Sequence, residues 1–229
     1  MILIICLILA AFLIVAAFIN LQHKKMVSDF LLKTLIVDKD YAHYLECIDR
    51  QLVLSLSKKS RAHYLSRKIY VYLFMGDWLS CEKLLTQFEP KYLPPVERAA
   101  YVANVILCCF LAGEQANADK WRKEFADLLE EGKKSRHSRL HVQLAQALAD
   151  FHHQRYQEAH LLLESLSQEE GRTEFFLSVD HYYLAKVAKI QGRSEEAQQH
   201  LQHAIEYGKN TFLEKRARDY QGQIITASE

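Results

Sequence analysis

Eleven histidines and five cysteines, the side chains best suited to metal ligation or nucleophilic chemistry, are spread along the 229 residues of the chain. His137 with His141, and His200 with His203, have spacings that place two imidazoles on one face of a helix. No third ligand stands at a recognised metal spacing beside either pair, and there is no H-E-x-x-H sequence, so these histidines read as surface or groove residues and no metal is expected. His152 and His153 read as a helix end ahead of a turn at Gln154 and Arg155. Cys6, Cys47, Cys81, Cys108 and Cys109 form no C-x-x-C pair and read as free, reduced thiols. A G-x-S-x-G elbow, a contextual Cys/His signature and a glycine-rich phosphate loop are all missing, so the expected protein is not an enzyme, with no catalytic residue and no cofactor. A net charge near +1 without a long Lys/Arg block excludes a dedicated nucleic-acid binder.

A second set of residues suits recognition rather than reaction. Ser66, Tyr70, Asn104, His141, Tyr182, Lys186 and Lys189 project from one face of successive helical stretches. Tyrosine supplies amphipathic contact area and lysine supplies charge-assisted donors, a combination that fits an acidic or C-terminal peptide. The competing reading is that they are the solvated side of amphipathic helices. Trp78 and Trp121 fall at or within helices and read as core.

The elements that must position these residues repeat with a period of about 38 residues. Second helices of successive hairpins open as KDYAHYLECIDRQL at Lys39, GDWLSCEKLLTQF at Gly76, GEQANADKWRKEF at Gly113, QRYQEAHLLLESL at Gln154 and GRSEEAQQHLQHAI at Gly192. Tyr44, Cys81, Ala118, Ala159 and Ala197 are then equivalent, and four of the five are small. Small side chains belong where two helices cross at the usual 8 to 10 Å. Gly76, Gly113 and Gly192 stand where each first helix must stop, in the left-handed conformation glycine takes without steric cost. Apolar residues such as Leu85 and Phe88, Leu163 and Leu166, and Leu201, Ala204 and Ile205 recur at three- and four-residue spacing, which is helical, and no strand alternation or hairpin turn signal appears. Pro90, Pro94 and Pro95 mark a connection leading into a helix. The units span roughly 26–52, 62–90, 96–131, 139–167 and 178–208, with a capping helix over 210–222.

The stretch YYLAKVAKIQGRSEEAQQHLQHAIEYGK, with Leu184, Ala185, Gly192, Ala197, Leu201 and Ala204 in register, resembles the tetratricopeptide repeat (TPR) superfamily. So does YLFMGDWLSCEKLLTQFEP, with Gly76, Trp78, Cys81, Leu85, Phe88 and Pro90. The bulky aromatic and Leu-Gly of the family's first helix are mostly absent, and the spacing exceeds the family's 34 residues. The resemblance implies an all-α right-handed solenoid of about five hairpins, whose first helices line a concave groove that binds proteins or peptides. The Lys/Asn/Arg carboxylate clamp of some family members is not reproduced.

Residues 1–19 read MILIICLILAAFLIVAAFI without a charge, followed by Asn20, Gln22, His23, Lys24 and Lys25. As a helix this run reaches about 28 Å, close to one bilayer core. The expected organisation is a single-pass membrane anchor over 1–20 in contact with the lipid bilayer, then a helical repeat domain over 21–229. Basic residues after the run and none before it place the N-terminus outside and the repeat domain in the cytoplasm. A secretory signal peptide is the rival, but it lacks a basic n-region.

The function this predicts is a membrane-tethered adaptor or assembly scaffold holding a protein or peptide partner in the groove. The alternatives are an extracytoplasmic anchored folding or assembly factor, and an enzyme or metal-binding protein on a helical scaffold. Ala10-Ala11 and Ala16-Ala17 would also permit close helix packing and a homo-oligomer.

Overall fold

A computed structural model of the chain describes residues 2–87 and 90–226; Phe88, expected in the apolar stripe of the second unit, lies outside them. The described residues are helical throughout, with short turns and no strand, as the helical periodicity predicts. The chain divides into two compact units, Met1–Arg50 and Gln51–Glu229.

In the first unit, α1 (Ile2–Ile36) is one helix that continues through Asn20–Lys25, and α2 (Tyr41–Leu54) begins after a tight turn. Lys39 takes a φ of 51° in that turn. Asp40 accepts the His43 N–H at 3.0 Å on its carboxylate, capping α2. Phe30 meets the His43 ring edge-on at 5.8 Å. Leu31, Leu35, Tyr44 and Ile48 are buried.

The expected single-pass anchor is corrected here: among the described residues, no helix is long and apolar enough to cross a membrane. The described part of α1 is not one unbroken apolar band. Phe12, Ile14, Val15, Phe18 and Ile19 are exposed, and Gln22, Lys25 and Asp29 follow in the same continuous helix. The side chains of 1–11, and those of Ala16 and Ala17, lie outside the described residues. The single-pass, N-terminus-out localisation with a cytoplasmic repeat domain rested on that anchor and is corrected with it.

The second unit is built of helix pairs. α3 (Lys58–Met75) pairs with α4 (Trp78–Gln87), and α5 (Pro95–Ala112) with α6 (Gln115–Glu124) and the short α7 (Ala126–Gly132). α8 (Arg136–His152) pairs with α9 (Tyr156–Ser167), and α10 (Glu174–Ile190) with α11 (Ser194–Tyr207). α12 (Phe212–Thr226) packs on α11 and also reaches α10 and α3. A 3-10 turn over Pro90–Tyr92 leads to Pro95 in the first turn of α5, where proline forfeits no helical hydrogen bond.

All four pairs turn the corner in the same way. Each first helix ends on a residue with positive φ: Gly76, Gly113, Gln154 and Gly192. The N–H of the next residue bonds back to a carbonyl five positions earlier, Asp77 to Tyr72, Glu114 to Cys109, Arg155 to Asp150 and Arg193 to Ala188, at 2.8 to 2.9 Å. These bonds satisfy carbonyls that a helix end leaves orphaned. The short turn brings each second helix against its first, and Cys81, Ala118, Ala159 and Ala197 are buried. At such positions a larger side chain would separate the axes.

The first helices form a row, in which α3 and α5, α5 and α8, and α8 and α10 are neighbours. The row curls until its ends meet. Phe74 of α3 lies 4.3 Å, ring to ring, from Phe175 of α10, although α5 and α8 stand between them in the row. α12 completes the closure: Phe212 meets Trp78 edge-on at 5.0 Å, and Arg216 donates through Nη1 to the Leu111 carbonyl at 2.6 Å. Core residues along this row, including Ile69, Leu73, Ile106, Phe110, Leu144 and Leu148, are almost fully buried. Each such burial contributes about 1.5–3 kcal/mol.

Candidate functional site

Three of the residues expected on a partner-binding face meet one another inside the curled row. Tyr70 of α3 meets the His141 ring of α8 edge-on at 6.1 Å. His141 Nδ1 lies 3.0 Å from Asn104 Oδ1 of α5, and its ring meets Phe176 of α10 at 5.0 Å. Asn104 is buried. Burial pushes the Tyr70 phenol up and holds the His141 imidazole down at about 3, with the charges of Arg172 and His137 adding to the second effect. A neutral imidazole at Asn104 therefore glues adjacent helices together. Ser66 spends its hydroxyl on the His63 carbonyl at 2.8 Å.

Phe176 also borders a buried ion pair. Arg172 donates through Nε and Nη2 to the two oxygens of Asp180, each at 2.7 Å, and its guanidinium lies 5.4 Å from the Phe176 ring centre. Both side chains are almost entirely enclosed. Burial raises the Asp180 carboxyl to about 6 in spite of the arginine.

The remaining expected residues lie on α10 and form a different environment. Lys186 Nζ lies 5.2 Å from the Phe151 ring centre, 5.5 Å from Tyr182 and 5.4 Å from Tyr183. Three rings around one ammonium provide cation–π attraction that holds the charge in place without a carboxylate. Tyr182 and Tyr183 are buried, while Lys186 and Lys189 are half-buried. Burial lowers the Lys186 ammonium, and the charge of Arg216 on α12 lowers it further. His152 stacks on Phe110 at 4.9 Å and lies 3.4 Å from the Tyr183 hydroxyl. Burial, then Lys186, holds its imidazole down at about 4. Tyr220 of α12 meets the Tyr182 ring at 6.1 Å.

Comparison with family models, with curated proteins and with solved structures finds no match for the chain.

Sequence reasoning placed Tyr182, Lys186 and Lys189 together but missed Arg216 and Tyr220. Those belong to a helix read only as a cap, and no local pattern in NTFLEKRARDYQ marks the side that turns inward. The two tryptophans pack on neighbours, Trp78 on Phe212 and Trp121 stacked on Phe125 at 5.6 Å. Among the described residues, no group of three or more His, Cys, Asp or Glu side chains is placed to hold a metal ion. The chemistry available at Lys186 is recognition through ring area and positive charge.

Proposed function

We propose that the chain is a protein-interaction scaffold, an adaptor that holds a partner polypeptide against the face of α10 and α12 around Lys186. The observation that carries this reading is the half-buried Lys186 ammonium inside three aromatic rings, on a rigid platform of paired helices. The buried rings of Phe151, Tyr182 and Tyr183 hold the ammonium in position, and a preorganised cation loses little conformational freedom when a partner binds. Lys189 and the half-exposed Ile190 continue the face along the last turn of α10.

The test is crosslinked capture with the full chain, compared with the Lys186→Glu, Lys189→Glu double variant. The same partner should be recovered specifically by the parent chain and lost from the double variant, with helical circular dichroism retained. Undiminished capture by the variant would remove this face from the interaction, and failure to capture any partner would overturn the scaffold reading.

A further inference from the structure

Lys186 of α10 and Arg216 of α12 are two cations carried by the helices that meet at the Tyr182–Tyr220 ring contact. Lys186 Nζ lies over the Tyr182 ring. Arg216 stands one helical turn before Tyr220, the α12 side chain that meets that ring. Among the described residues, no carboxylate lies within ion-pair distance of either cation. Arg216 has a backbone carbonyl, Leu111 O, on one guanidinium nitrogen and the Phe212 ring 5.9 Å from its centre. Asp119 pairs with Arg122 and His153, and Asp219, whose charge reaches the Tyr182 phenol, is exposed and forms no ion pair with either cation.

Like charges in one half-buried neighbourhood repel one another, and the low local dielectric strengthens that repulsion. The fold nevertheless brings the helices that carry them together at the Tyr182–Tyr220 contact, with the Tyr182 and Tyr183 rings beside Lys186 and the Phe212 ring beside Arg216. An oxyanion between them would turn the repulsion into two charge-assisted attractions. Burial lowers the Lys186 ammonium, and the charge of Arg216 lowers it further.

We propose that Lys186 and Arg216, with the Tyr182 and Tyr220 phenols beside them, form a binding site for an oxyanion, the carboxylate or phosphate group of a ligand. That a polypeptide carries the anion rests on the scaffold reading; the site itself does not. Guanidinium supplies planar paired donors, the ammonium a point charge, and the rings exclude water from one side.

The experiment measures acylation of Lys186 by acetic anhydride in the full chain, read by mass spectrometry, during titration with inorganic phosphate or with a hexaglutamate peptide. Binding should slow Lys186 acylation saturably, because the anion covers the amine and favours its protonated form; Lys209 in the same sample is the internal reference. Arg216→Met should weaken the protecting anion about tenfold or more, Arg216→Lys should retain part of the effect, and Lys215→Met on the same helix should leave it unchanged. Calorimetric titration of Lys186→Met provides a second readout if Arg216→Met fails to fold, and it should show the same loss. Protection by phosphate alone supports the oxyanion site and removes the polypeptide carrier. Protection by the peptide supports both. Absence of saturable protection with either probe, or protection unchanged in Arg216→Met together with an unchanged calorimetric affinity in Lys186→Met, overturns the site while leaving partner capture free to succeed or fail separately.

Discussion

The Nδ1 atoms of His181 on α10 and His200 on α11 lie 3.0 Å apart, so one imidazole must be the donor and the other the acceptor. His203 stands 5.1 Å from the His181 ring centre, and Tyr207 stacks on the same ring at 5.6 Å. Burial disfavours a cationic His200; Glu196 favours it, and His203, His160 of α9 and Arg193 oppose it. Burial, then the neighbouring His200 and His203, holds His181 down at about 4.

This cluster makes stability depend on acid. A histidine whose pKa is lower in the folded chain than in the unfolded one favours the neutral form. Its contribution is fully present above the ordinary value near 6.5 and is lost as pH falls through about 4. His152 and His141 act with the same sign. Urea midpoints should therefore fall as pH drops from about 7 to about 4, and His181→Gln should fall less. A flat profile, or an equal fall in the variant, would remove the cluster from the explanation.

Gly76 and Gly113 separate backbone strain from packing. Both have positive φ, 71° and 85°, so alanine at either costs about 1–2 kcal/mol in the left-handed conformation. A β-carbon at Gly76 would also stand 2.7 Å from Phe212 Cγ, whereas at Gly113 it meets nothing within 4 Å. Gly76→Ala should destabilise by roughly 2–4 kcal/mol and Gly113→Ala by no more than about 2. Equal losses in chemical denaturation would mean that α12 yields without cost.

The enclosed Arg172–Asp180 pair should be expensive to break and cheap to replace. Removing one partner, as in Arg172→Met or Asp180→Asn, leaves the other enclosed without its counter-group and should cost about 3–5 kcal/mol. Arg172→Met with Asp180→Leu should recover most of that loss, since the raised Asp180 carboxyl shows desolvation outweighing the arginine. A double variant as unstable as the singles would assign the pair a larger net role.

The hairpins were legible because helix ends have local chemistry. Gly76, Gly113 and Gly192 mark three of the four corners, and Pro90 and Pro95 bracket the connection to α5. The fourth corner uses Gln154 at a φ of 62°, which was readable only from the polar run His152–Arg155. The break between α6 and α7 at Phe125, with φ −111°, has no glycine or proline to announce it.

The site was half legible for a related reason. Periodicity shows which residues share a helix face, and it grouped Tyr182, Lys186 and Lys189. It carries no information on how sharply a row of helices curls. Tyr70, Asn104 and His141 therefore read as facing outward into a groove, whereas the curl brings them against one another. Arg216 reaches its position through a contact 105 residues away in sequence, beyond any local pattern. Residues 1–20 were misleading in the opposite direction, because composition alone suggested an anchor that the described helices do not supply.

The meeting of α3 with α10 and α12 changes how this unit should fold. In an open stack each hairpin touches only its neighbours, so folding can nucleate anywhere and the ends can fray. Here the Phe74–Phe175 and Arg216–Leu111 contacts join distant stretches, and the entropy of closing that long loop must be met before either contact forms. The cost slows the final step, but the closed unit then has no loose end from which to unravel. Its melting becomes cooperative, with damage near Phe212 felt at the opposite end of the chain segment.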